Sequence, residues 1–235
     1  MEITNKTIFI TGATSGIGLE TAKLLLEENA NIVIYSITIP KTPEIDSLKK
    51  NKKILIIKGD IRNKKSVENA LKKTIKKFGK INVLINNASI AQRKDFTKTT
   101  QKDWDAMIDI NIKGTLNVTQ IVLKQMICSQ TQSPMIINIS SGAGYEGIEH
   151  LSLYSLTKSA IMNFTHSLSD ELSNKKIDIL TVAPGSTDTQ MFKEVFPGQK
   201  PRHTSKQVAQ VIIKTIKKEI LPDERRIVDV FHHAK

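Results

Sequence analysis

Thr7-Ile8-Phe9-Ile10-Thr11-Gly12-Ala13-Thr14-Ser15-Gly16-Ile17-Gly18 is the stretch on which the reading of the whole chain turns. Its first five residues are β-branched or aromatic and read as a short strand, Thr7–Thr11. Gly12, Gly16 and Gly18 follow, and the chain then enters an amphipathic run, Ile17–Glu28. Glycines permit a tight turn and let backbone approach a bulky anion, whose charge the free N–H groups of a helix start favour. A glycine triplet alone is weak evidence, since such turns also serve plain structural needs. Here it stands in the strand–turn–helix context that a pyrophosphate site requires. The spacing is Thr-Gly-x-x-x-Gly-x-Gly rather than Gly-x-Gly-x-x-Gly.

Outward from this turn, short β-branched runs alternate with longer amphipathic ones. Further strands are expected at Asn31–Ser36, Lys53–Lys58, Ile81–Asn86, Met135–Ile139, Ile177–Val182 and Arg226–Val230. Helices are expected at Pro43–Lys50, Lys64–Phe78, Thr100–Ser129, Leu153–Ser173 and Ser205–Lys218. Gly79 marks a helix end, and Thr204 with Gln207 forms a capping box. Such alternation predicts an α/β fold: a Rossmann-like, doubly wound parallel sheet of seven strands with helices on both faces. No repeat, low-complexity tract or linker divides the chain, so residues 1–235 are expected to form a single domain. The stretch 184–201 lacks periodicity and follows a strand end, where open α/β sheets bind ligands. It is read as a substrate-covering loop.

Bulk composition removes several alternatives. No apolar run approaches the length of a membrane span, and Met1–Thr11 lacks the features of a secretion signal. The single cysteine, Cys128, excludes an intramolecular disulfide. A cytoplasmic protein is the expectation. The net charge of +12 raises the question of nucleic acid. Its carriers are mostly lysines, scattered, with only 5% aromatics and no interleaving of the two. In Lys64–Phe78, Val67, Leu71, Ile75 and Phe78 mark one helix side and the lysines the other, which is a solvated face rather than a binding stripe. Asp170, Glu171, His150 and His166 show no metal-ligand spacing, so no metal is expected. His150, just before the Leu153–Ser173 helix, is a candidate to line a substrate pocket. His232-His233 reads as a frayed tail.

Tyr154-Ser155-Leu156-Thr157-Lys158 places a phenol and an ammonium four residues apart, on one helix face. That spacing alone is poor evidence, and its chemistry gives it meaning. A free tyrosine titrates near ~10, and bringing it to ~7 takes roughly 4 kcal/mol. An ammonium ~4 Å away at an effective dielectric of ~20 supplies about that much. The gain is general acid/base catalysis, typically worth ~10²–10⁴-fold. Ser141, at the end of the fifth strand, is placed to hydrogen-bond a reacting oxygen.

Together these features resemble the Tyr-x-x-x-Lys branch of the short-chain dehydrogenases over nearly the whole chain. The resemblance rests on Thr11–Gly18, Asp60 after the third strand, and Asn86-Asn87-Ala88 after the fourth, with Ser89 where the family has glycine. It continues through Asn111 in Asn-Ile-Lys-Gly, Ser141, Tyr154, Lys158 and Pro184-Gly185. The resemblance implies hydride transfer between a nicotinamide cofactor and a carbonyl or secondary alcohol. Tyr154 would then exchange the proton, Ser141 position the substrate oxygen, Lys158 lower the Tyr154 pKa and hold the ribose, and Asn111 orient a relay water. Gly12, Ser15, Gly16, Ile17 and Gly18 would hold the pyrophosphate. Asp60, Ile61, Asn87 and Ala88 would line the adenine side, and Pro184, Gly185, Thr187 and Thr189 the nicotinamide side. An acid ending the second strand would select NAD; Ser36 stands there, so NADP(H) is expected over NAD(H). The ending after Arg225-Arg226 lacks the Val-x-Gly-Gly of the ketoacyl-carrier-protein reductase subgroup. Family habit implies a homodimer or homotetramer built on the Thr100–Ser129 and Leu153–Ser173 helices. The alternative is a nucleotide-binding redox sensor without turnover, against which an intact Ser–Tyr–Lys set argues.

Overall fold

The computed structural model describes residues 1–234. Strands β1 (Thr7–Thr11), β2 (Asn31–Ser36), β3 (Ile54–Lys58), β4 (Val83–Asn86), β5 (Met135–Ile139) and β6 (Asp178–Ala183) alternate with helices. These are α1 (Gly16–Glu27), α2 (Pro43–Lys49), α3 (Lys64–Phe78), α4 (Gln101–Met107) and α5 (Thr115–Cys128), then α6 (Ala143–Glu146) and α7 (Ser152–Glu171) after β5. Two-residue strands β7 (Thr187–Asp188) and β8 (His203–Thr204) flank α8 (Gln190–Val195). The chain then runs through α9 (Ser205–Lys217), β9 (Ile227–Asp229) and α10 (Val230–His233).

Seven strands form one parallel sheet in the order β3-β2-β1-β4-β5-β6-β9, the Rossmann-like arrangement expected. Alternation along β1 shows why it needs cover on both faces. Ile8 and Ile10 join a core with Leu25 of α1, Ile45 of α2 and Ile212 of α9. Phe9 joins the other, with Val67 of α3 and Val122 of α5. Each such fully buried side chain contributes about 1.5–3 kcal/mol. The chain winds outward from β1 to β3 and then returns to β4 on the other side of β1. That reversal opens a crevice at the carboxyl ends of the strands.

Three expectations are corrected. Thr100–Ser129 is not one helix: residues Ile108–Gly114 adopt a π-helical segment between α4 and α5. The cause is tertiary, because Asn111 in that segment is drawn into bonds with Ile90 and Thr157. The 184–201 stretch is not a bare loop. It carries β7, paired with β8, and α8, which Thr189 caps by accepting from the Phe192 N–H. In α3 the buried face runs through Val67, Ala70 and Thr74, while Ile75 is exposed. Thr74 is tolerated there because its hydroxyl donates to Ala70 O at 2.9 Å.

Candidate active site

The glycine turn is shaped by what it must avoid. Gly12 has φ +66°, and a Cβ there would lie 2.8 Å from Ala88 Cα. A Cβ on Gly18 would lie 2.5 Å from Asn87 Nδ2. Asn87 occupies that space because its amide donates to Thr11 O at 3.0 Å and Gly12 O at 3.1 Å. Thr11 Oγ1 in turn accepts the N–H groups of Asn87 and Ala88. The end of β4 thus clamps the turn after β1, and Asn87 serves the turn itself as well as the cleft wall. The start of α1 is left open. Its N-cap Ser15 makes no side-chain cap bond and its first turn has no acid. In contrast, α2, α3, α4, α8 and α9 are all capped by a side chain. The uncapped N–H groups of α1 suit an anion.

A cleft of about 1010 Å³ runs along the carboxyl ends of the strands. Gly12, Ser15, Gly16, Ile17, Ser36, Asp60, Ile61, Asn87 and Ala88 line it at the β1–β4 end. Ser141, Tyr154, Lys158, Pro184, Gly185, Thr187 and Thr189 line the same cleft further on. Of the residues singled out from sequence for catalysis or for holding the dinucleotide, Gly18 and Asn111 alone stay out of the wall. Gly18 packs behind the turn. The Asn111 side chain donates to Ile90 O at 2.9 Å and to Thr157 Oγ1 at 3.1 Å, and accepts the Ile90 N–H at 2.8 Å. Both its amide donors are taken, so it ties the segment after β4 to the turn of α7 that bears Lys158. At the end of β2, Ser36 is buried with its hydroxyl 3.2 Å from that of Thr14. Asp60 is gripped by the Arg62 fork at 2.6 and 2.9 Å, which holds its carboxyl below the usual range.

Electrostatics around Tyr154 run against the simple expectation. Burial pushes its phenol up to about 12, and a hydrogen bond from Ser141 opposes this only in part. Lys158 is 3% exposed, and burial lowers it to about 8. Its Nζ donates to Ile139 O at 2.9 Å and stands 5.4 Å from the centre of the Tyr154 ring. The ammonium is therefore held by a strand carbonyl, with the Tyr154 ring next to it. Within the protein alone the phenol keeps its proton far above neutral pH. That is the form required to give a proton to a developing alkoxide.

A family model described as short chain dehydrogenase matches residues 6–200. The chain belongs to the short-chain dehydrogenase family. It is therefore an oxidoreductase of the class acting on CH–OH and C=O groups. An uncharacterized oxidoreductase of Staphylococcus epidermidis is 31% identical over 212 residues, covering 90% of this chain and 91% of that protein. One from Staphylococcus aureus is 30% identical over 211 residues, 90% of each. Among solved structures, a 3-ketoacyl-(acyl-carrier-protein) reductase from Brucella melitensis complexed with NADH superposes with a TM-score of 0.88 at 21% identity, covering 97% of both chains. Levodione reductase gives 0.84 at 23% identity, covering 96% of both. At that identity these two share the fold. No helix among the described residues of this dehydrogenase is long and apolar enough to cross a membrane.

The far end of the cleft joins residues of the 184–201 stretch to others that the sequence did not flag. Phe192 of α8, Phe196 just after it, Arg202, and Asp229, Phe231 and His232 from the end of the chain all line it. His232 is thus a wall residue rather than a frayed tail. The residues of β9 pair with β6, register Ala183 with Asp229, and so carry the chain end over the carboxyl edge. His150 turns the other way. It is absent from the wall, and its Nδ1 meets Asp95 Oδ1 at 2.8 Å.

Proposed function

We propose that this dehydrogenase works as one unit to interconvert a carbonyl compound and its secondary alcohol with NADP(H), using Tyr154 as the proton donor and acceptor. One observation carries the reading: Ser141, Tyr154 and Lys158 line the same cleft as an uncapped glycine turn. The cradle fits a dinucleotide, because glycine at 12 and 18 lets the turn pack closely against Ala88 and Asn87 and the α1 N–H groups face no acid of their own. When bound, the nicotinamide supplies or accepts the hydride. All other steps belong to side chains. Ser141 positions the substrate oxygen by a hydrogen bond. Tyr154 delivers its proton to that oxygen as the carbonyl is reduced and takes it back in oxidation. Lys158 holds the ribose and adds positive charge next to the phenol. Asn111 keeps the Lys158 turn in register through Thr157, and a relay through Asn111 uses its main chain, since its amide donors are taken.

The preference for NADP(H) rests on Ser36. No carboxylate ends β2 to repel a 2′-phosphate, and the charge of Asp60 is compensated by Arg62. The NADH bound by the Brucella reductase supports a dinucleotide in this fold without favouring the phosphorylated form. Two copies of the chain pair through α5 and α7, where Leu116 and Leu156 stand exposed; a species of monomer mass in light scattering would refute that pairing.

Titration with NADPH and NADH, followed by nucleotide fluorescence, tests the reading. Tight binding of NADPH with weaker NADH is the expected result. Preference for NADH removes the cofactor assignment and leaves the enzyme. Binding of neither removes the function, and binding without turnover of any aldehyde or ketone points to the sensor.

A further inference from the structure

The strand order separates the cleft into two ends. The glycine turn after β1, Ser36 ending β2 and Asp60 after β3 lie on one side of β4. Ser141 after β5, Pro184 after β6 and Asp229 closing β9 lie on the other. On the proposed function the dinucleotide occupies the first end, which leaves the β9 end to the substrate.

That end combines apolar walls with one lining guanidinium, Arg202, while Arg93 stands over the Phe196 ring from outside the lining, 5.3 Å from its centre. Phe192 of α8 and Phe196 just after it have ring centres 5.3 Å apart, and Phe231 remains 54% exposed on the cleft. An exposed phenylalanine on a cleft wall is an apolar surface still to be covered. Arg202 Cζ stands 5.3 Å from the Phe231 ring centre. The arginines at the opposite side of the sheet and under its edge are paired, Arg62 with Asp60 and Arg226 with Asp178. Arg202 has no carboxylate partner among the described residues. Stacking on a ring fixes the plane of a guanidinium and leaves its fork for an outside acceptor.

Acids line this end too, and neither Asp229 nor Glu146 forms an ion pair with Arg202. Asp229 accepts the Phe231 N–H at 2.9 Å and lies 3.7 Å from His232 Nε2. Glu146 is exposed at the end of α6. The Arg202 backbone is tied towards the reacting centre in two links. Its N–H donates to Ser186 O at 3.1 Å, and Pro184, two residues earlier, accepts the N–H of Gly142 beside Ser141 at 2.8 Å.

We infer that the β9 end of the cleft is a carboxylate subsite, at which Arg202 reads a substrate built from an apolar body and a carboxylate. The planar fork matches a carboxylate in two parallel hydrogen bonds, which an amide of the same shape cannot reproduce. The phenylalanines bury the body, and the ring beneath Arg202 excludes water from one side of the pair.

The test uses the full chain, with and without NADP⁺, titrated calorimetrically with 4-methylbenzoate and with 4-methylbenzamide. The carboxylate is expected to bind about 30-fold more tightly, the range of a charge-assisted hydrogen bond. In Arg202→Gln that ratio falls to near one, and in Arg202→Lys it falls part-way because a point charge replaces the fork. A wild-type ratio near one overturns the subsite, and so does a ratio that persists in Arg202→Gln. Reduction of 4-formylbenzoate by NADPH is followed alongside. Its absence with the binding ratio intact counts against the oxidoreductase reading and leaves the carboxylate subsite standing.

Discussion

Replacing Lys158 by methionine should make the nucleotide-free protein more stable while destroying its function. In the fold, burial lowers the Lys158 ammonium from 10.5 to about 8. A group whose folded pKa lies below its unfolded one destabilises the fold wherever it is still protonated there. Converted at 1.36 kcal/mol for each factor of ten, that lowering amounts to roughly 3 kcal/mol at pH 7. Methionine has a similar shape and carries no charge, so this cost disappears. The loss of the Nζ bond to Ile139 O gives back about 1 kcal/mol. A net gain of about 2 kcal/mol at pH 7 follows. Between pH 8 and 10.5 the unfolded chain holds more protons than the folded one, so wild-type stability rises with pH and the advantage of the variant shrinks. By pH 9.5 the lysine cost has fallen by about 2 kcal/mol and the two proteins should be nearly equal. Urea unfolding without nucleotide, followed by circular dichroism at pH 7 and pH 9.5, reads both quantities. A Lys158→Met protein less stable than wild type at pH 7, or one whose advantage does not shrink with pH, would show that Lys158 is not held at an electrostatic cost. Such a cost marks a residue kept for what it does rather than for the fold.

Two further outcomes concern the nucleotide end. Gly12→Ala puts a Cβ against Ala88 at a positive φ and should lower stability by about 1–3 kcal/mol. Its affinity for NADPH should fall at least about tenfold, and nucleotide fluorescence that matched wild type would contradict the close-approach argument. Ser36→Asp introduces the acid missing from the end of β2 and should turn the preference from NADPH to NADH; unchanged relative affinities would mean that the ribose lies elsewhere.

Every strand of the sheet was legible because its signal is local. The β-branched runs sit between turn residues, and β1 announced itself by leading into the glycine turn. Ser36, Asp60, Asn87, Ser141 and Pro184 were legible as cleft residues for the same reason, since a strand end followed by a short motif fixes where a side chain emerges. What escaped depends on contacts distant in sequence. The π-helical segment goes with bonds that join Asn111 to Ile90, in the connection after β4, and to Thr157 of α7. Strands β7 and β8 pair by backbone over two residues each and leave no period to read. The helix α8 did leave a sign, the Thr189 cap ahead of Phe192, lost among the surrounding prolines and glycines. The expected depression of the Tyr154 pKa left out burial, which a four-residue spacing does not report. Burial and the Ile139 carbonyl decide where the ammonium goes. His232 reached the cleft wall through the pairing of β9 with β6, a partnership of residues far apart in the chain.

Tyr154→Phe removes one oxygen and leaves the ring beneath Lys158 in place. Turnover of a carbonyl substrate by this variant, set against its affinity for NADPH, tests the assignment most directly. Retained NADPH affinity with turnover lowered by about 10²-fold or more is the predicted result. Turnover within a few-fold of wild type would show that the proton comes from another group and that Tyr154 is not the acid.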